Sequence, residues 1–155
     1  MARLAEELKM NRPFSLLEEE AALSILRTAD VLQQRNAEVL KPFEMTAAQY
    51  NVLRILRGSP EGLACGQVAE RMINRDPDVT RLLDRMENRN WITRQRGTCD
   101  RRVVTARITV AGLKVLEQID PVIVAALRRY FGSLGEKKLR QAIDLMEQIR
   151  EITQS

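Results

Sequence analysis

The segment Arg94–Thr109 reads RQRGTCDRRVVTARIT, and its pattern decides the fold. Five of its sixteen residues are arginine and none is lysine. The runs Trp91–Arg96 and Arg102–Ile108 have the composition of strands, and the second alternates between apolar and polar side chains. Because Gly97–Asp100 supplies turn-forming residues between them, the segment predicts a β-hairpin with a high density of fixed positive charge.

The residues before this hairpin predict two short helices joined by a turn. The first runs from about Cys65 to Met72, and the second is opened by Asp76 as N-cap with Pro77 at its first position. Two helices in this order, the second with a basic outer face, are the layout of a helix-turn-helix, and the hairpin beside them is then a wing. The apolar stripe that the second helix buries consists of Val79, Leu82, Leu83 and Met86.

Arginine is concentrated in this part of the chain. The formal net charge of the 155 residues is +4, but residues 71–107 alone hold ten arginines, no lysine and five acidic residues. The planar guanidinium fits phosphates and guanine edges, so a local basic patch of this kind indicates a nucleic-acid partner. The alternative is a solvated charged face without a partner.

Composition limits the other classes of protein. Apolar residues make up 45% of the chain, which is enough for a folded core. There is no run of 18 apolar residues and no apolar signal segment, so we expect a cytoplasmic protein without membrane association. With no histidine, no glycine-rich phosphate loop and no evident pair of carboxylates, we expect neither an enzyme nor a metal or cofactor site.

The segments that flank the helix-turn-helix predict longer helices. Ser15 and Glu18 form a capping-box pattern before a helix that Pro42 ends, and Thr46 and Gln49 form a second one before a helix that stops at Gly58. Thr109 caps a later helix that Pro121 is expected to kink. Val122–Leu127 is apolar on every side, and a helix of that kind is buried on every side. In a chain of this size, we expect a second subunit to bury this apolar surface.

The stretch VTRLLDRMENRNWITRQRGTCDRRVVTARITVAG, residues 79–112, resembles the MarR family of bacterial transcription regulators. It contains a recognition helix, a short strand, a wing with Asp-Arg-Arg, a second strand, and Thr-x-x-Gly opening a long helix. The resemblance implies a mainly α fold with a two- or three-stranded β wing. It also implies one domain over 1–155, with dimerisation helices at about 1–42 and 110–155 and a winged helix-turn-helix lobe at about 45–109.

The same resemblance implies a function. Family members are homodimeric DNA-binding regulators of bacterial transcription, and many are repressors that leave an inverted-repeat operator when a small molecule binds between the lobes. We therefore expect double-stranded DNA, a second copy of the chain and a small-molecule effector as partners, with aromatic compounds as the first effector class to test.

In the wing, Arg102 resembles the arginine that the family sends into the minor groove, and Asp100 resembles the carboxylate that orients it. An arginine held by a carboxylate loses less entropy on docking, and narrow A·T-rich grooves attract it. The alternative is an ordinary surface salt bridge. The neighbouring arginines Arg101, Arg96 and Arg94 are candidates for phosphate contact, with solvated charge as the equal alternative. Thr98 is a further candidate for DNA contact.

Three candidates lie at the start of the second helix. Thr80 and Arg81 are in the first turns, where side chains reach base edges, and a bidentate contact from Arg81 to guanine is worth about 1–3 kcal/mol of discrimination. Asp78 either accepts a hydrogen bond from a cytosine amine or favours the positive end of the helix, and the second interpretation is preferred.

Three further candidates concern the DNA backbone. Arg75 precedes the second helix, and Gln67 opens the supporting helix; both are placed to contact phosphate. Arg85 lies one turn further along, where a backbone contact and an intramolecular ion pair are equally consistent with the pattern.

Two alternative functions remain open. Cys99 lies at the expected wing tip beside several guanidinium groups, which would lower its pKa and favour a thiol-based redox-sensing repressor. Cys65, at a helix start, is expected to be a small buried residue. A winged-helix module that binds protein instead of DNA is the other alternative, and the ten arginines of residues 71–107 argue against it.

Overall fold

The computed structural model describes residues 3–75, 78–97 and 102–154, and these form a mainly α-helical fold with a small three-stranded sheet. This confirms the predicted fold class. The helices are α1 (Arg3–Glu7), α2 (Leu17–Leu40), α3 (Ala47–Arg57), α4 (Cys65–Arg71), α5 (Val79–Asn88), α6 (Val110–Phe131) and α7 (Gly135–Gln154). The strands are β1 (Leu63–Ala64), β2 (Ile92–Arg96) and β3 (Val104–Ile108).

The sheet has the antiparallel order β1-β3-β2. The predicted hairpin is formed by β2 and β3, in a register that places Arg94 opposite Ala106. On the other side of β3, Leu63 pairs with the same Ala106, which has no exposed surface. With only two residues, β1 is too short to show an alternating pattern.

One hydrophobic core joins the helix-turn-helix lobe to the start of α6. Leu56 of α3, Leu83 of α5 and Leu116 of α6 are fully buried members of the same cluster. Trp91, between α5 and β2, is buried with them. The helices of the lobe and the start of the wing therefore pack on one shared hydrophobic core.

The helix starts confirm one capping prediction and correct another. Thr46 and Gln49 at the start of α3 form a reciprocal capping box, with bonds of 3.2 and 2.9 Å. The box predicted for Ser15 and Glu18 is wrong. Leu16 occupies the N-cap of α2 and no described side chain caps it, so Ser15 lies one residue outside the position from which its hydroxyl would act.

Helix α6 continues through Pro121, and its second half is only partly buried in the single chain. Ile123 and Ala126 are buried, whereas Val122, Val124 and Leu127 keep 42–45% of their surface. Within the described part of one chain, the second half of α6 is therefore not buried on every side. None of the described helices combines the length and the apolar content that crossing a membrane requires.

Candidate nucleic-acid interface

Helix α5 starts at Val79 and is capped by Asp78. An oxygen of the Asp78 carboxylate accepts the backbone N–H of Arg81 at 3.1 Å, and its other oxygen lies 3.3 Å from Nε of the same arginine. The prediction that Asp76 is the N-cap is therefore wrong, although Asp76 and Pro77 themselves lie outside the described residues. Asp-Pro-Asp offers two carboxylates with the same capping chemistry, and the sequence alone does not choose between them.

The outer face of α5 is exposed as predicted. The Arg81 side chain keeps 80% of its surface, and Thr80 and Arg85 are also exposed. Nε of Arg85 donates to the carbonyl oxygen of Arg81 at 3.3 Å. Asp78 acts at the positive end of the helix, in agreement with the preferred interpretation of this residue. Its exposed ion pair with Arg81 adds little stability, so the Arg81 side chain can rearrange at low cost while Asp78 keeps the helix cap.

The other end of α5 is closed by a Schellman motif. The N–H of Asn90 donates to the carbonyl of Glu87 at 2.8 Å, and the N–H of Trp91 donates to the carbonyl of Met86 at 3.1 Å. Asn90 has a left-handed backbone, with φ of 57°. Trp91 and Met86 are both buried, which is the apolar contact that accompanies this motif. The chain is thereby directed from α5 straight into β2.

The prediction that Arg94 of β2 is an exposed candidate for phosphate contact is wrong. Its side chain keeps only 19% of its surface. Nε and Nη2 donate to Glu87 Oε2 at 3.1 and 2.9 Å, Nη2 also donates to Asp84, and the backbone N–H donates to Glu87 Oε1 at 2.8 Å. Burial acts to lower the pKa of Arg94, but the hydrogen bonds and charges of Glu87 and Asp84 raise it. Arg94 thus binds α5 to the wing.

A signal for this role was present in the sequence. Side chains two residues apart in a strand lie on the same face of the sheet. Ile92 is buried, so Arg94 is on the face that is packed against the body of the protein. Its carboxylate partners, Glu87 and Asp84, lie seven and ten residues earlier in the sequence.

Two further arginines of the hairpin are described towards its free end. The N–H of Gly97 donates to the carbonyl of Val103 at 2.8 Å, which extends the hairpin beyond the last ladder pair. Arg96 and Arg102 are exposed at this end. The residues predicted to form the tip, and with them the orientation of Arg102 by Asp100, lie outside the described residues. They are Thr98, Cys99, Asp100 and Arg101.

Gln67 and Arg75 have surroundings that the sequence did not predict. Oε1 of Gln67 accepts the backbone N–H of Ala64 at 3.1 Å, so this oxygen closes the start of α4. Arg75 is exposed just before the undescribed residues that lead to α5, and it borders a cavity.

This cavity, of about 620 Å³, lies where α2 and α6 meet the helix-turn-helix lobe. Its wall includes Asn51 of α3 and the turn residue Ile73, whose backbone N–H donates to Asn51 Oδ1 at 2.9 Å. Tyr50 also lines it and donates from its hydroxyl to Asp120 Oδ1 of α6 at 3.3 Å. Burial is the main cause that raises the pKa of Tyr50.

The described thiol and acidic groups do not form a reactive or metal-binding centre. Burial raises the pKa of the Cys65 thiol, which makes it a poor nucleophile at neutral pH. Cys65 packs against the core but is half-buried, not fully buried as expected. Within residues 3–75, 78–97 and 102–154, no group of three acidic or cysteine side chains is placed to hold a metal ion.

Comparison with known proteins agrees with this architecture. The family model described as "MarR family" matches residues 45–104. The chain is 40% identical to a MarR transcription factor from Planctomyces limnophilus, with a TM-score of 0.67 over 88% of this chain and 98% of that one. AbsC, a MarR family transcriptional regulator from Streptomyces coelicolor, is 25% identical, with a TM-score of 0.80 over 93% and 99%.

A third similar protein is a curated relative. It is the HTH-type transcriptional repressor MdtR of Bacillus subtilis (strain 168), which is 29% identical over 133 residues. The match covers 86% of this chain and 85% of MdtR.

Proposed function

This chain belongs to the MarR family of DNA-binding transcription regulators, and we propose that it is a homodimeric repressor that a small ligand releases from an inverted-repeat operator. The repressor assignment is supported by the similarity to MdtR, which bears that description. The observation that carries the DNA-binding mode is the exposed arginine face of α5, with the arginine-rich end of the hairpin next to it along the chain.

In the proposed complex, α5 enters the major groove and the wing reaches the adjacent minor groove. Thr80 and Arg81 read base edges, with Arg81 bidentate to guanine. Arg102 enters the minor groove, where a narrow A·T-rich segment has the strongest negative potential. Arg75 and Arg85 contact phosphates and fix the register of the protein on the duplex.

The second subunit is proposed from the apolar surface of the terminal helices. Val122, Val124 and Leu127 of α6 and Ile143 and Leu145 of α7 each keep between 42% and 55% of their surface in the single chain. A two-fold dimer that covers them would carry two copies of α5, so the operator should contain half-sites about 34 Å apart. Its binding should depend on salt with a slope on the order of −6 to −10.

Release by a ligand is proposed from the place of the cavity. Its wall combines α2 and α6, which belong to the proposed dimerisation region, with α3 and the turn that leads to α5. A molecule bound there touches both parts, and it can shift the equilibrium only if it binds one arrangement better than the other. Benzoate and salicylate, titrated into the DNA complex, test the aromatic class. Release of DNA together with a rise in the thermal stability of the protein supports the aromatic class. If millimolar concentrations cause neither release nor stabilisation, these compounds are excluded.

The docking model is tested with Arg102→Ala in a gel-shift assay on an operator selected from a random DNA pool. We expect an affinity loss on the order of tenfold or more, because the minor-groove contact is lost in both subunits. Arg35→Ala removes the same charge from α2, where Arg35 pairs with Glu38, and is the matched control. Wild-type affinity of the Arg102→Ala dimer would remove the wing from the model.

The redox hypothesis at Cys99 receives no support from the described residues and stays a prediction. Cys65, the described cysteine, has a raised pKa and is packed in the lobe. Peroxide that released DNA from the wild-type protein and left a Cys99→Ser variant bound would establish such a gate.

A further inference from the structure

We propose that Arg94 is the positioning residue that fixes the wing against the recognition helix α5, and so sets where the minor-groove contact lies relative to the major-groove contact. Arg94 is not itself a DNA ligand in this proposal. The inference rests on the proposed docking of the wing through Arg102.

The contacts of Arg94 leave little of its guanidinium for phosphate. It forms ion pairs with both Asp84 and Glu87 of α5, and Glu87 additionally accepts its backbone N–H. Main chain and side chain of one strand residue are therefore both bonded to the helix. An arginine in this setting is held by a network, and exchanging it for a phosphate contact would leave two carboxylates without their partner.

Arginine is the side chain that this junction requires. Its planar fork donates to two carboxylates at once, whereas a lysine ammonium is a compact point charge without that geometry. Without Arg94, Asp84 and Glu87 would lose the donors that hold β2 against α5.

The register of the hairpin carries the effect to the wing tip. Arg94 lies opposite Ala106, the ladder ends at Arg96 and Val104, and the Gly97–Val103 bond follows. The tip therefore begins three residues beyond Arg94, about 10 Å along the strand. A small rotation of β2 about its attachment to α5 is enlarged over this distance, while hydrogen bonds to the groove tolerate only a narrow range of geometry.

The test is a double-mutant cycle with a matched charge control. Arg94→Gln and Arg96→Gln remove the same charge from the same strand, one at the buried junction and one at the exposed end. Each is measured for operator affinity in the wild-type and in the Arg102→Ala background. In the wild-type background, we expect Arg94→Gln to weaken operator binding about tenfold more than Arg96→Gln does. In the Arg102→Ala background, we expect the losses from the two substitutions to agree within about twofold.

The cycle separates this inference from the proposed docking. If Arg102→Ala has no effect, the docking of the wing is wrong. If Arg102→Ala weakens binding but the loss from Arg94→Gln is the same in both backgrounds, or never exceeds that of Arg96→Gln, the positioning role of Arg94 is wrong.

Arg94→Lys keeps the charge and guards against a simple loss of folding. We expect it to retain the dimer and cooperative unfolding, and to lose the preference for A·T pairs in the flanking minor groove while the base preference under α5 persists. Unchanged preference at the flanks in Arg94→Lys would overturn the proposal, since positioning by the fork would then be unnecessary.

Discussion

Asn90 shows how a single residue sets the geometry between α5 and the wing. Its left-handed backbone closes the Schellman motif and turns the chain so that Trp91 returns to the core and β2 starts at Ile92. Side chains with a Cβ are strained in this region of backbone space, and asparagine tolerates it better than most. The residue is therefore a compromise between a polar surface residue and the glycine that this position favours.

At this scale we predict that Asn90→Gly keeps or raises the free energy of unfolding, whereas Asn90→Val lowers it. The β-branched side chain should cost about 1–2 kcal/mol, because the left-handed conformation brings its Cβ close to the neighbouring carbonyl. Urea denaturation of the three proteins measures the difference. Equal stability of the glycine and valine variants would show that the helix end does not hold this conformation in solution.

At the scale of an element, α6 is fixed to the wing by its first turn. The hydroxyl of Thr109 donates to the carbonyl of Asn90 at 2.6 Å and accepts the N–H of Gly112 at 3.0 Å. Gly112 approaches the main chain so closely that an added Cβ would lie 2.3 Å from the carbonyl oxygen of Trp91. The Thr-x-x-Gly motif therefore has a physical basis: the threonine caps the helix and the glycine lets it contact the strand.

We predict that Gly112→Ala destabilises the protein by about 1–3 kcal/mol, since a backbone carbonyl rather than a flexible side chain must move. The control is Gly66→Ala in α4, where an added Cβ meets nothing within 4 Å. Thermal unfolding followed by circular dichroism measures both. A Gly112→Ala protein as stable as Gly66→Ala would mean that α6 lies further from Trp91 than described.

At the scale of the whole molecule, the distribution of exposed apolar surface supports a dimer. The core holds the lobe and the first half of α6, whereas the described exposed apolar residues of α6 and α7 include Val124, Ile143 and Ile152. Apolar residues on the outside of two long helices mark an interaction surface when they are contiguous. The economical partner is a second copy, because each copy brings the same surface.

We predict that Val124→Glu or Ile143→Glu converts the protein to a monomer, since a charge buried in an apolar interface without a partner is strongly unfavourable. Affinity for an inverted repeat should fall, because the two half-sites are no longer bound together. Sedimentation velocity reports the mass, and Val110→Glu, an exposed residue at the start of α6, is the control. A dimer that survives both substitutions would place the interface elsewhere.

The amino-acid sequence by itself determined the order of the longer helices, the hairpin, the basic outer face of α5 and the family, but it did not predict α1 or β1. The predicted features depend on local patterns: alternation in a strand, helical spacing, turn residues and the composition of one segment. Capping was determined at some helix starts and not at others, since the box predicted for Ser15 and Glu18 does not form. Thr46 and Thr109 cap their helices as predicted, but the helix preceded by Asp76 and Asp78 starts two residues later than expected.

Only the tertiary structure decided which arginines are exposed and which hold the protein together. Arg94 and Arg96 are two residues apart with the same charge, yet one is held by α5 and the other is exposed. Tyr50 and Asp120 meet across 70 positions at the edge of the cavity. Ion pairs and cavities depend on which surfaces packing brings together. A local sequence pattern does not identify the residues that become neighbours only when the chain folds.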